Sequence, residues 1–390
     1  MWYQLLIGLL LSFISFEIYL RLCPSDNIFE ILYKFKTITE GKEIEVEQDI
    51  ANAKSFYSKI VIAKIKNSFT DLMIKCNEEH GIDIERLNCS PGETALSYAI
   101  GIIENDDDIN NIDIIKTLLD YGFKNNNLID ISDYHDQTPL MVASYLGLDK
   151  IIQLLLERGA SIDNLNNKNA TSLMAASQFG HLKSVQVLLE YNANVLITNF
   201  RSNALIDASK GGHCDIVKEL IHHVIKKNDI SLADFINSSN KVGSTSLHYS
   251  CMGGYVDIVR ILLENGANIN QKTNRNTAQV NALMGACQAG KVEVVKMLLQ
   301  YSILLDDTDV NGNTALKYAS HAGHVAVVEE LLKAAMNINN NDNDNRDNDK
   351  NNNNNFLKNY IIMASSDGKT PLDVAKTDEI KNILLKHLQD

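Results

Sequence analysis

The chain has 390 residues, 45% of them hydrophobic, with a formal net charge of −13 and an isoelectric point near 5.2. That length is more than one compact core normally holds, and the apolar content excludes a wholly disordered chain. The acidic balance argues against a nucleic-acid partner, since such binders carry a clustered basic face, although a local basic patch is compatible with it.

Residues 1–20 form the most apolar run, long enough to cross a bilayer at roughly 20 residues per span. No lysine or arginine precedes it, while Arg21, Lys34, Lys36 and Lys42 follow, so insertion would leave the remainder facing the cytoplasm. Two other readings stand beside this membrane anchor. One is a buried or interfacial helix that caps the first repeat of a soluble cytosolic protein. The other is a cleaved leader, for which a basic start and a small-residue cleavage site are both missing. Residues 21–88 have helical periodicity, with Phe29, Leu32 and Tyr33 on one helix and Ile50, Ala53, Tyr57 and Ile60 on another. They are expected to form a helical N-terminal cap, in which Asp71–Ile84 looks like half of a degenerate repeat.

Residues 89–336 repeat. Asp133–Val195 is two 33-residue segments end to end, with Leu140 and Leu173, and Gly147 and Gly180, one period apart. The core Thr138-Pro139-Leu140 with Ala143 recurs as Thr171-Ser172-Leu173, Asn203-Ala204-Leu205, Thr245-Ser246-Leu247, Asn281-Ala282-Leu283, Thr314-Ala315-Leu316 and Thr370-Pro371-Leu372. Gly92–Ala99 opens the first of eight units and is followed by an acidic insertion, Glu104–Asp108. Thr138 is placed to cap a helix, Pro139 suits its first position, and Gly147 suits its left-handed end. Ile151, Leu154 and Leu155 then make the stripe of a second helix. Residues 337–355, nearly all asparagine and aspartate, have nothing to bury and read as a disordered insertion. Residues 356–390 read as a C-terminal capping repeat, opened by Thr370–Ala375 and closed by a helix over Glu379–His387.

The T-P-L-x-x-A core at this period resembles the ankyrin repeat. The resemblance implies an all-α solenoid of helix-turn-helix repeats joined by β-hairpin-like fingers, behind the N-terminal hydrophobic helix. The sequence departs from the family at the histidine of T-P-L-H, which stands at His248 but is Met141, Met174, Ile206, Met284, Lys317 or Asp373 elsewhere. The finger glycine is Asp136, Asn169 and Arg201 in consecutive repeats, which leaves the finger geometry open.

Ankyrin repeats are binding modules, so the resemblance implies a non-enzymatic, monomeric scaffold or adaptor that takes a protein partner on its concave face. In that family the face is built from finger tips and the two positions before the first helix's glycine. On this chain the fingers supply Tyr134, His135, Gln137, Lys168, Phe200 and Lys241, and the helices supply Tyr145, Leu146, Gln178, Phe179, Lys210, Met252, Gln288 and His321. Tyr145, Phe179, Phe200 and Met252 would form an apolar strip, unless Phe179 or Phe200 packs between repeats instead.

No glycine-rich phosphate loop, nucleophile elbow, zinc-protease or EF-hand motif is present, so no catalytic residue or cofactor is expected. The six cysteines include no C-x-x-C pair, and Cys214, Cys251 and Cys287 read as small hydrophobes on repeat helices. His181, His213 and His324 follow repeat glycines and read as structural. His222 and His223 point different ways on a helix, so with Cys214 they make a poor metal set, and no metal is expected. The alternative function is an enzyme or metal-dependent regulator that uses an extended finger around residues 222–241.

Overall fold

The computed structural model describes residues 95–101, 103, 112, 115, 116, 119, 128–133, 135–274, 277–301, 303–343 and 355–389. The hydrophobic helix at 1–20, the cap at 21–88 and Tyr134 lie outside them. Among the described residues no helix is long and apolar enough to cross a membrane. Met1–Tyr134 and His135–Asp390 are two compact units.

In the first unit, helix α1 (Ala95–Gly101) buries Leu96 and Ile100. Ile103, Ile115 and Leu119 are also buried, as is Ile129 in the short 3-10 turn Leu128–Asp130.

The second unit is a stack of helix pairs. They are α2 (Pro139–Leu146) with α3 (Asp149–Glu157), α4 (Ser172–Phe179) with α5 (Leu182–Glu190), and α6 (Ala204–Gly211) with α7 (Cys214–Lys227). After α8 (Leu232–Ile236) come α9 (Ser246–Gly253) with α10 (Val256–Glu264), α11 (Ala282–Gln288) with α12 (Val292–Leu298), and α13 (Ala315–Ala322) with α14 (Val325–Asn343). Helices α15 (Asn355–Ile362) and α16 (Asp378–Gln389) finish the unit.

The first helix of each pair begins on a side-chain cap. Thr138 Oγ1 accepts from the Met141 amide at 3.4 Å, and Asn203 Oδ1 from Ile206 at 2.8 Å. Thr171, Asn281 and Thr314 do the same for Met174, Met284 and Lys317. Pro139 takes the first position, where its missing N–H costs nothing, and Gly147 ends the helix at φ 77°.

First helices stack on first helices in chain order. The recurring alanines Ala143, Ala176, Ala208, Ala286 and Ala319 are fully buried and let neighbouring helices approach closely. Leu140, Leu173, Leu205, Leu247, Leu283 and Leu316 are at most 2% exposed, so the repeated leucine is core. Each is worth about 1.5–3 kcal/mol of burial.

Three elements differ from the sequence expectation. The stretch after His223 is not an extended finger but the end of α7 and then α8, which Ser231 caps and Phe235 and Ile236 anchor by burial. The boundary expected at residue 337 falls inside α14, which continues to Asn343. A helix satisfies its own backbone, so it can run on without an apolar face once Val327–Leu332 has nucleated it. Residues 344–354 lie outside the described residues.

Last, Thr370–Ala375 makes turns and no helix. Thr138 stands eleven residues before Asp149, but Thr370 stands only eight before Asp378, which leaves no room for two helical turns. Helix α15 sits in the preceding connection, where no helix was expected, packed between α14 and α16 with Tyr360 and Ile361 buried.

Candidate protein-docking face

The fingers are hairpin-like turns without strands among the described residues, and one of them holds an isolated bridge between Ser239 and Thr245. A side-chain oxygen closes four of these turns. Asn166 Oδ1 accepts from the amides of Lys168 and Ala170, Asn199 Oδ1 from Arg201 and Ser202, and Asn240 Oδ1 from Val242 and Ser244. Asp309 Oδ1 does the same for Asn311 and Asn313. Burial alone would raise the Asp309 carboxyl, but hydrogen bonds from Asn313, Tyr318 and Asn311 outweigh it and hold it below its ordinary value.

Adjacent fingers are tied by backbone bonds, with the Asn167 amide donating to His135, Lys241 to Phe200, Asn274 to Val242 and Val310 to Ala278. Asp136 and Asn169 take the left-handed corner at φ 56° and 55°, a conformation their short polar side chains tolerate. Arg201, in the next finger, is not left-handed, so that turn differs from its neighbours.

The helix ends are locked by residues from the next repeat. Imidazole Nε2 of His181 lies 2.9 Å from the Tyr145 carbonyl, that of His213 3.0 Å from Gln178, and that of His324 3.1 Å from Gln288. Tyr255 and Lys291 fill the corresponding space beside Gly212 and Gly254. His248 is buried, with Nδ1 2.8 Å from Thr245 Oγ1 and Nε2 3.1 Å from the Val280 carbonyl, and burial lowers its pKa. These histidines hold repeats together.

That frame sets the expected face residues as follows. Tyr145, Phe179, Phe200 and Met252 are 50%, 44%, 57% and 48% exposed, so neither Phe179 nor Phe200 is packed away between repeats. Tyr145 and Phe179 meet edge to face with centroids 4.3 Å apart. Phe200 carries the Lys241 ammonium at 5.6 Å from its centroid. Met252 lies instead against Gly285 of α11, where a Cβ would come within 3.0 Å of its Cγ. The expected strip is therefore three separate contacts. His135, Lys168, Gln178, Lys210, Gln288 and His321 are exposed, and Gln137 and Leu146 are half-buried.

Two residues of this face were not anticipated. Tyr249 lies under the Lys210 ammonium, 5.9 Å from the ring centroid, and its hydroxyl is 3.2 Å from Asn240 Nδ2. Its signal was the recurrence of tyrosine at 249 and 318, at the same place in two repeats, where Tyr318 donates to Asp309. Arg201 is the other, an exposed cation beside Phe200.

Cys251 and Cys287 are fully buried, which pushes both thiols well up. Among the described residues no group of three or more histidine, cysteine or acidic side chains is arranged to hold a metal ion.

Comparison with known proteins agrees with this architecture. A family model described as ankyrin repeats (3 copies) matches residues 58–166, 108–199, 173–273 and 272–344. The probable E3 ubiquitin-protein ligase XBOS33 of Oryza sativa subsp. japonica is 42% identical over 90 residues, which is 23% of this chain and 17% of that protein. The putative ankyrin repeat protein L371 of Acanthamoeba polyphaga mimivirus is 25% identical over 222 residues, 56% of this chain and 23% of that one. The crystal structure of the human ASB11 ankyrin repeat domain superposes with a TM-score of 0.51 at 21% identity, covering 64% of this chain and 98% of that domain, a likeness of fold. The chain thus spans less than a quarter of the length of these two curated relatives.

Proposed function

We propose that this chain, which belongs to the ankyrin-repeat family, is a non-enzymatic scaffold or adaptor that docks a protein partner on its finger tips and first-helix ends. The observation that carries this reading is the Tyr145–Phe179 pair, two touching rings left about half in solvent where a core would have buried them. Such rings anchor interfaces at small conformational cost. The matched part of the rice ligase is 17% of that protein, so the likeness carries nothing about ligase activity.

Anchoring by residues 1–20 with the repeats facing the cytoplasm, and a monomeric state, belong to the same proposal. Carbonate extraction and light scattering of the full chain test them. The alternative built on residues 222–241 has no support from the geometry, since that stretch is a helix end, a short helix and a turn.

The decisive experiment is affinity enrichment with the full chain beside its Tyr145→Ala/Phe179→Ala variant. A partner captured by the first and lost by the folded second supports the reading. Equal capture by both overturns it.

A further inference from the structure

We infer that the docking face selects an extended acidic segment of its partner, with aspartate or glutamate side chains interspersed among apolar ones. The inference rests on the docking-face reading and adds the partner's chemistry.

Its basis is a cluster of cations on a chain whose net charge is −13. Lys168, Arg201 and Lys241 stand at the tips of three successive fingers, and Lys210 on the helix end between them; all four are exposed. None is in an ion pair with a carboxylate among the described residues. The exposed ion pairs Lys218–Asp215, Arg260–Asp257 and Lys296–Glu293 lie instead on the second helices. Asp207, on the same helix as Lys210, is buried, with its carboxyl taken up by the Ser202 hydroxyl. The exposed finger acid Asp136 stands on an earlier finger, and Asp306 and Asp367 stand on later ones.

Three of the cations, Arg201, Lys210 and Lys241, are tied into one surface. Asn240 Nδ2 donates to the Arg201 carbonyl at 2.7 Å and lies 3.2 Å from the Tyr249 hydroxyl, whose ring carries Lys210. The Lys241 amide donates to the Phe200 carbonyl at 3.3 Å, while its ammonium covers the Phe200 ring. Two of the ammoniums, Lys210 on α6 and Lys241 on its finger, are thus held over the rings of Tyr249 and Phe200. The rings keep a flat apolar surface beside these two charges.

A partner segment with alternating acidic and apolar residues would meet ammonium and ring in turn. Elsewhere the acidic body of the chain repels such a segment, so this one face sets both position and register. A nucleic acid, whose charge is continuous, meets that same repulsion over its whole length.

The test uses the full chain and a random twelve-residue peptide library displayed on phage. Recovered peptides should be net acidic with interspersed apolar residues. Their binding, read by fluorescence anisotropy, should fall about tenfold or more in Lys168→Glu/Arg201→Glu/Lys241→Glu and weaken with added salt. Lys168→Gln/Arg201→Gln/Lys241→Gln, with an unchanged melting temperature, serves if the reversed variant folds poorly.

Recovery of neutral or basic peptides that still depend on Phe200 would overturn the acidic specification and leave the docking face standing. Peptides indifferent to both the cations and Phe200 would remove both. Tighter binding of single-stranded DNA or phosphatidylserine vesicles at these cations would replace the inference with a different partner class.

Discussion

The imidazole of His181 occupies the place where a side chain on Gly147 would have to be. A Cβ there would lie 2.4 Å from Nδ1, while Nε2 of the same ring is 2.9 Å from the Tyr145 carbonyl. Gly147 itself is at φ 77°, a conformation that costs other residues about 1 kcal/mol or more. Gly147→Ala should therefore destabilise twice over, by backbone strain and by displacing the ring. His181→Ala should cost about 1 kcal/mol for the lost hydrogen bond. The double variant should cost less than the sum of the two, because the clash disappears with the ring. Thermal unfolding of the three variants checks this, and strict additivity would count against a direct contact.

A second prediction concerns pH. Asp207 is buried with its carboxyl raised from 3.8 to about 6, chiefly by desolvation, against which the Ser202 hydroxyl at 2.9 Å and Lys210 act in part. The folded state therefore holds the proton more tightly than the unfolded chain. Its contribution is fully present below about pH 4 and is lost as pH rises through about 6, a difference of at most about 3 kcal/mol. Asp207→Asn, which still accepts the Ser202 hydroxyl, should raise the melting temperature at pH 7.5. It should also flatten the fall between pH 4 and 6 relative to the parent. Equal slopes in parent and variant would show that Asp207 ionises freely.

The third prediction turns on Lys317, which stands where His248 stands in an earlier repeat. Its ammonium is buried against Ser365 and lies 3.0 Å from Asp367 Oδ1. Hydrogen bonds from Ser365 and Lys317 hold the Asp367 carboxyl well below its ordinary range. Removing only the carboxylate leaves a buried charge alone, whereas an apolar replacement of the lysine removes the charge as well. Asp367→Asn should therefore lower the melting temperature more than Lys317→Met. Methionine already fills this position at 141, 174 and 284. The reverse order would show that the pair is held for attraction and not for lack of an alternative.

The repeat frame was legible because each of its residues acts locally. Thr138, Pro139, Gly147 and the leucine period report caps, turns and a core face within one unit, and the structure places them so. What the sequence hid depends on distance between neighbouring units or on the length of a connection. Helix α15 and the shortened Thr370–Ala375 turn follow from three missing residues, which a motif match does not count. The pairing of Lys210 with Tyr249, and of Lys241 with Phe200, joins residues 39 and 41 positions apart on different repeats, where no local pattern connects them.

The last prediction separates stability from binding at Tyr145 and Phe179. Both rings are about half exposed, so each truncation removes only part of the burial that a core aromatic would lose, well short of the 3–5 kcal/mol of a buried ring, at about 1 kcal/mol or less. The rings touch edge to face, a geometry worth about 0.5–1.5 kcal/mol. A double-mutant cycle in urea unfolding should therefore return a coupling at the low end of that range, since it cannot exceed the small single effects that contain it. Capture of the partner should respond differently, each truncation costing about 2 kcal/mol or more if the pair is its anchor. Should the double variant unfold many degrees early, the rings are structural. Should it stay folded and hold its partner undiminished, the partner uses another face.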